Sequence, residues 1–172
     1  MDSPLWVTIP LVVLGMVATR EDLKTRRIPN TVTGPALLLG VATHLAFRGP
    51  SGALAALAGA LLAGALLFPG WLMRLMGAGD VKLMAAFGAW LGSVETSLYA
   101  VLASLVAGGI ISVVVAVRRG ILFRTLRNAA LLVPRLAAGA GQTGPPPATS
   151  GVYVPKALAL LAGSLFALWR PF

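Results

Sequence analysis

The sequence predicts an all-α, polytopic membrane protein, and three observations lead to that prediction. The 172-residue chain is 58% hydrophobic and only 11% charged, whereas a soluble domain carries roughly 25% charged residues. Its apolar residues gather into separate segments, and its basic residues fall almost entirely on alternate connections between those segments. A water-soluble core of this size could not bury so much apolar surface, but a bilayer is itself an apolar solvent.

The apolar segments are expected to form about six transmembrane helices in a single integral membrane domain over residues 1–172. A spanning helix needs about 20 residues, so the first segment is slightly short and the fourth is clearly short. The fourth must therefore borrow residues from its flanks, tilt, or lie partly inside the protein. The segments are Pro4–Thr19, Thr31–Phe47, Gly52–Leu72, Val81–Leu91, Ser97–Val117 and Val152–Trp169.

The first and third segments carry further signals. A cleavable signal peptide has positive charge before its apolar run, but here Asp2 precedes the run and Arg20 follows it. We therefore expect the first segment to be a retained span. In the third segment, Ala56, Ala60 and Gly64 recur at four-residue spacing, which lets helix backbones approach closely in lipid.

The connection between the fifth and sixth segments, residues 118–151, is basic and is expected in the cytoplasm. Its first part, Arg118–Arg135, has apolar residues among the arginines, so it is either a helix lying on anionic lipid or a plain charged loop. The sequence does not separate these two interpretations. The remainder, with Pro145-Pro146-Pro147, is typical of a flexible connector.

The distribution of basic residues predicts the orientation in the membrane. With the N-terminus outside, the cytoplasmic side receives 12 of the 14 basic residues, and the outer side receives only Arg48 and Arg170. The net charge of +9 is explained by this orientation and by membrane lipid, so nucleic acid is not expected as a partner. The sequence does not indicate the oligomeric state.

Two aspartates are the candidate functional residues. The chain has five acidic residues, and the predicted orientation puts Glu21, Asp22 and Asp80 at the inner face. Asp80 has apolar segments on both sides, a position where ionisable residues are costly and usually functional. Asp22 stays near the end of the first span because the connection that follows it is short.

Each aspartate lies in a short motif with a plain structural interpretation as well. In Gly77-Ala78-Gly79-Asp80, the glycines let the backbone turn and approach another chain closely, but Asp80 is equally well explained as a helix N-cap. Asp22 precedes Ile28-Pro29-Asn30, where Pro29 stops regular structure and Asn30 can cap the next helix. Alone, Asp22 is better explained as a solvated loop charge beside basic residues.

Taken together, the two aspartates predict a chemistry. Two carboxylates brought close cannot both ionise easily, so one keeps a proton. The ionised one can take a proton from water, while the protonated one donates to a substrate carbonyl oxygen. No metal or other cofactor is expected, because one histidine and no cysteine leave few ligands. That histidine, His44, is interpreted as a packed or interface side chain.

The chain resembles the type IV prepilin peptidases, which are aspartyl membrane proteases with a G-x-G-D motif. Their first catalytic Asp lies six residues before an Ile-Pro-Asn or Leu-Pro-Asp triplet, as Asp22 does here. Their second ends a G-x-G-D sequence followed by x-Lys-Leu, as Asp80 does here. The resemblance implies that both aspartates are catalytic, with supporting residues Gly77, Gly79, Lys82, Lys24, Ile28, Pro29 and Asn30.

The resemblance also implies a substrate and a location. The substrate is a prepilin or pseudopilin with a short basic leader, a Gly before the cleaved bond, and then an apolar helix in the membrane. Cleavage would occur at the cytoplasmic face of a bacterial inner membrane. An archaeal-type preflagellin peptidase, a non-catalytic membrane scaffold of the same fold, and a small transporter that uses Asp80 as a proton site are the alternatives.

The sequence departs from the family in two respects. Long members carry a cytoplasmic insertion with paired CxxC motifs, associated with methylation, whereas this chain has no cysteine. It therefore resembles the short branch that serves Flp (tight-adherence) pili, and methyltransferase activity is doubtful. A Pro-aromatic-Gly-Pro stretch often precedes the last helix, and Val152-Tyr153-Val154-Pro155-Lys156 matches it only in part.

Overall fold

All regular elements in the described part of the chain are α-helices. The computed structural model describes residues 5–25, 28–73, 75–120, 123 and 156–169. The predicted all-α class is confirmed for these residues. The helices are α1 (Leu5–Thr25), α2 (Asn30–Leu72), α3 (Ala78–Leu91), α4 (Val94–Arg118) and α5 (Lys156–Leu168).

The helix ends differ from the predicted segment ends in ways that matter for the aspartates. α1 continues past Thr19 to Thr25, so Asp22 lies on its last turn and not in a loop. α3 begins at Ala78, ahead of the predicted start, because Gly77 takes the extended N-cap conformation with φ −77° and ψ 151°. Asp80 is therefore in the first turn of α3.

The second and third predicted segments are the two parts of α2. Gly49 has φ 69° and ψ −164°, which breaks the helix between residues 30–48 and residues 50–72. Residues with a side chain rarely adopt such a positive φ, so glycine is required at this break. Pro50 follows immediately, and proline is favoured at the start of a helical run because its missing N–H has no partner there in any case.

Small residues bring the second part of α2 against α3. Ala56 and Ala60, which the sequence spacing singled out, are both buried. The closest approach is between Gly59 and Gly88, because a Cβ on Gly88 would lie 2.8 Å from the carbonyl carbon of Gly59. The spacing therefore predicted the correct helix face, although the tightest contact uses a different pair of residues.

α3 is the most deeply enclosed helix of the described part. Leu83, Met84 and Phe87 have no exposed surface, and α3 packs against α1, α2 and α5. This explains how an apolar segment too short to span a bilayer is accommodated. Of the three options that the sequence left open, burial inside the protein and extension at the N-terminal flank are the ones found.

Among the described residues, two helices are long and apolar enough to cross a membrane, namely α2 and α4. In their most apolar windows only 33% and 22% of the residues are buried inside the protein, whereas the core helix of a soluble protein would be mostly buried. Their outer faces carry exposed apolar residues such as Leu61, Val106 and Ile110, which suit a lipid environment. These two helices agree with a membrane protein, whereas the predicted architecture of about six spans is not confirmed.

His44 is a packed side chain, as the sequence interpretation proposed. It is fully buried, its Nε2 lies 3.0 Å from the carbonyl oxygen of Trp90, and its ring contacts Trp6 edge-on at 5.0 Å. The ring fills the space beside Gly92, which ends α3 with φ 61°. This cluster lies at the end of α3 remote from Asp80.

The chain divides into two compact units, residues 1–108 with 155–172, and residues 109–154. The first unit holds α1, α2, α3, α5 and both aspartates. In the second, the structure describes the C-terminal part of α4, Arg119, Gly120 and Phe123. Most of the predicted basic segment 118–151 lies outside the described residues, and the single domain stays a prediction.

Candidate active site

Asp22 is a buried carboxylate on the last turn of α1. It is only 5% exposed, and its Oδ2 accepts a hydrogen bond from the backbone N–H of Ala157 at 3.3 Å. Ala157 is the second residue of α5, so this N–H belongs to the set at a helix start that has no partner within the helix. The interpretation of Asp22 as a solvated loop charge is therefore wrong.

Asp80 is a second buried carboxylate, on the first turn of α3. It is 8% exposed, and its Oδ2 accepts a hydrogen bond from the backbone N–H of Gly77 at 3.1 Å. Gly77 is the N-cap residue, so Asp80 occupies the third helical position and bonds back to the cap, as acidic residues do in a capping box. Asp80 is thus not the N-cap itself.

The electrostatic surroundings of Asp80 couple it to Asp22. Asp80 precedes the apolar part of α3, and burial raises the pKa of its carboxyl above the ordinary value of 3.8. The cation of Lys156 and the N–H of Gly77 act to lower the pKa of Asp80, and the negative charge of Asp22 raises it further. The structure therefore brings the two aspartates within electrostatic reach, and the net effect of these surroundings is a raised pKa of Asp80.

The two sequence motifs pack directly on one another through Gly79. A Cβ on Gly79 would lie 3.0 Å from the Cβ of Ile28, 3.2 Å from its carbonyl oxygen and 3.3 Å from its nitrogen. Glycine lets α3 begin against the chain segment that follows Asp22. Gly77 differs, because its φ is negative and a Cβ built there would have its nearest contact at an ordinary 3.7 Å, so the close approach expected there is not found.

A side-chain hydrogen bond also joins the two motifs. The Nζ of Lys82 donates to the Oδ1 of Asn30 at 2.9 Å, which ties the start of α2 to α3. Asn30 does not cap α2 as predicted, because Pro29 occupies the N-cap position and no side chain bonds there. Lys24 lies exposed on the last turn of α1.

Lys156 is a residue at this site that lies outside the two aspartate motifs, at the end of the stretch that matches the family pattern only in part. Its Nζ lies 3.8 Å from the Oδ2 of Asp80 and donates to the carbonyl oxygen of Leu75 at 3.2 Å. Consecutive residues at the start of α5 thus contact both aspartates. The sequence signal was weak, because Lys156 is one of many basic residues and is separated from Asp80 by most of two helices and a long connection.

A model of the type IV leader peptidase family matches residues 9–113, which is more than half of the chain. The chain belongs to the type IV leader peptidase family. The match contains Asp22, Asp80 and both motifs, and it ends within α4, so α5 lies beyond it. Comparison with curated proteins and with solved structures gave no match.

Membership of the leader peptidase family confirms the resemblance inferred from the motifs. At the level of the family it implies prepilin-type leader peptidase activity and a membrane location, which agrees with the two long apolar helices. In the described part of the chain, no three His, Asp or Glu side chains come together as metal ligands would.

Proposed function

We propose that this chain is an aspartic endopeptidase that removes the basic leader of type IV or Flp prepilins or pseudopilins. Cleavage follows a Gly, at the cytoplasmic face of a bacterial inner membrane, and Asp22 and Asp80 are the catalytic residues. The observation that supports this most strongly is the burial of both carboxylates at neighbouring helix ends, within electrostatic reach of each other.

The proposed mechanism gives the two aspartates different roles. Asp80 holds the shared proton, because burial raises its pKa, and Asp22 acts as the base. Asp22 takes a proton from water as the water oxygen attacks the peptide carbonyl carbon, and Asp80 gives its proton to the carbonyl oxygen. The resulting diol then collapses: Asp80 takes a proton back from one of the diol hydroxyls as the C=O bond forms again, the C–N bond breaks, and Asp22 gives its proton to the leaving nitrogen.

The surroundings of the site suit a bond at a lipid–water boundary. A prepilin changes from a basic leader to an apolar helix at the cleaved bond, so its scissile peptide lies where the two solvents meet. Exposed charged residues, Lys24 and Lys82, lie beside exposed apolar residues, Leu23 and Leu75, at the helix ends that carry the aspartates. This mixture is expected of a surface at that boundary.

The test uses the purified full chain in detergent with a prepilin that has Gly before the cleaved bond. Asp22→Asn, Asp80→Asn and the double variant should each lose activity by about a thousandfold or more, and to a similar extent, because the residues act as a unit. Asp2→Asn is the matched control and should cleave normally. Thermal unfolding of each variant checks that the loss is not a loss of fold.

Substantial cleavage by either single Asn variant would reject the two-aspartate mechanism, even if the protein is a peptidase. A prepilin with Val in place of that Gly should resist cleavage, which tests the proposed specificity. If the wild type cleaves preflagellin but no prepilin, the alternative substrate class is correct. If a folded wild-type protein cleaves neither, the scaffold alternative gains support.

A further inference from the structure

We propose that Lys156 is a positioning residue for the catalytic pair, holding the Asp80 carboxylate and the turn that precedes it against the start of α5. The proposal rests on the proposed function for the role of Asp80 in peptide cleavage. It assigns a part in the site to a residue that lies outside the family match, which ends at residue 113.

The ammonium group of Lys156 has two contacts that together define its place. It lies 3.8 Å from the Oδ2 of Asp80, and it donates a hydrogen bond to the carbonyl oxygen of Leu75 at 3.2 Å. Leu75 is in the turn between α2 and α3, two residues before Gly77. One side chain therefore connects three segments: α5, the turn, and the first turn of α3.

The neighbouring residue extends this arrangement to the other aspartate. The N–H of Ala157 donates to the Oδ2 of Asp22 on α1, so the first two residues of α5 contact one carboxylate each. A helix is rigid over two residues, since its backbone hydrogen bonds hold them in fixed geometry. The start of α5 thus sets the position of Asp80 relative to Asp22, which come from different helices.

Burial raises the pKa of Asp80, and the positive charge of Lys156 is the largest of the effects that lower it. The charged groups that face Asp80 in the described structure are Asp22 from α1 and Lys156 from α5. Lys82, on α3 itself, is bound to Asn30. An opposite charge at this distance favours the ionised carboxylate, so without Lys156 the proton on Asp80 should be harder to remove.

The partial exposure of Lys156 limits the size of this effect and makes it sensitive to salt. Its side chain is 48% exposed, whereas the Asp80 side chain is 11% exposed. Water and ions screen such a pair, so its contribution should lie at the low end of the range for opposite charges. We expect a shift of about one pH unit when the charge is removed.

The decisive test measures the titration of Asp80 without relying on catalysis. The chain has only three aspartates, Asp2, Asp22 and Asp80, so carboxyl-labelled aspartate gives three carbon resonances in detergent-solubilised protein. Asn variants assign them. Lys156→Met, which keeps the apolar stem, should raise the Asp80 midpoint by about one pH unit, and Lys156→Arg should restore it.

Two controls accompany this titration. Lys24→Met removes an exposed cation from the end of α1 and should leave the Asp80 midpoint where it is in the wild type. If Lys156→Met does not fold, the salt dependence of the Asp80 midpoint in the wild type is the test. Raising the salt from about 0.01 M to about 1 M shortens the screening length from about 30 Å to about 3 Å, which should raise the Asp80 midpoint.

Cleavage kinetics then separate positioning from a purely structural role. Both limbs of the pH–rate profile should move to higher pH in Lys156→Met and return in Lys156→Arg, because the limbs report the carboxylate pair. An unchanged Asp80 midpoint in folded Lys156→Met, or a loss of rate without a shift of the limbs, would overturn the proposal. If the Asp80 midpoint shifts in Lys156→Met but the wild-type protein cleaves no substrate, the electrostatic role of Lys156 is supported and the proposed function is rejected.

Discussion

Replacement of Gly79 by alanine tests whether the contact between the two motifs is needed for activity. Gly79 is in the first turn of α3, where alanine would ordinarily be favoured over glycine by up to about 1 kcal/mol. The added Cβ, however, would lie 3.0 to 3.3 Å from three atoms of Ile28, two of which belong to the backbone. Because backbone atoms cannot rotate away, α3 and the Ile28 segment would have to separate.

The size of the effect follows from these distances. Carbon atoms in ordinary contact are about 3.5–4.0 Å apart, so the segments must separate by roughly half an ångström. Overpacking of this kind costs about 1–3 kcal/mol, which exceeds the gain in helix propensity. Ile28 follows shortly after Asp22, so the separation also displaces the aspartates. Since a misplacement of about 1 Å can cost about a hundredfold in rate, we expect kcat to fall by about tenfold.

Gly77→Ala is the matched control for Gly79→Ala. Gly77 has negative φ and room for a Cβ, so alanine there should cost at most about 1 kcal/mol, from the preference for glycine over alanine at an N-cap. Each variant is assayed for prepilin cleavage and for thermal unfolding in detergent. Gly79→Val, with two more methyl groups against Ile28, should abolish cleavage while leaving membrane insertion intact.

The comparison of the two alanine variants decides the question. Loss of activity in Gly79→Ala with near-normal cleavage by Gly77→Ala would support the steric argument. Equal losses in both would mean that the motif needs glycine for backbone freedom and not for the approach of Ile28. Full activity in Gly79→Ala would refute the reasoning altogether.

Three further predictions concern pH, packing and orientation. Because burial raises the pKa of Asp80, the contribution of Asp80 to stability is complete below the pKa of 3.8 in the unfolded chain. That contribution is lost as the pH rises through the pKa of Asp80 in the folded protein. Asp80→Asn should therefore melt at progressively higher temperature than the wild type as the pH rises from about 3 to about 7, and a constant difference would contradict this. Gly88→Ala should cost about 1–3 kcal/mol by forcing α3 away from α2, whereas Gly109→Ala, which faces open space, should not destabilise the protein; equal melting temperatures would argue against the close contact. In this cysteine-free chain, Lys24→Cys and Lys82→Cys should resist an impermeant thiol reagent applied to intact cells, and labelling from outside would reverse the proposed orientation.

Several features of the fold could be predicted because they depend on composition and local pattern. An excess of apolar residues and a shortage of charged ones indicate a bilayer whatever the order of the helices. Small residues at four-residue spacing mark a close helix contact; Ala56 and Ala60 are both buried, and Ala60 lies beside Gly88 of α3. Helix ends were predicted less well, because α1 runs through polar residues to Thr25 and α3 begins before its apolar run.

The candidate residues could be named from their motifs, but their surroundings could not. The motifs indicated Asp22 and Asp80 because carboxylates beside apolar segments are costly to keep without a use. Sequence reasoning treated Asn30 as a helix cap, whereas its side chain bonds to Lys82. It also treated both glycines of the motif alike, whereas the close approach of Ile28 occurs only at Gly79.

Membrane character, helical class and the two aspartates were thus readable from the chain, because each depends on residue type and short-range spacing. The relation between the aspartates was not, because it depends on how α1, α3 and α5 pack. Lys156 shows the difference most clearly: in the sequence it is one of 14 basic residues, and in the fold its ammonium group lies 3.8 Å from Asp80. A contact between residues so far apart in the chain forms only when the helices pack together. The free energy that stabilises this packing comes from the whole core and not from the two residues alone.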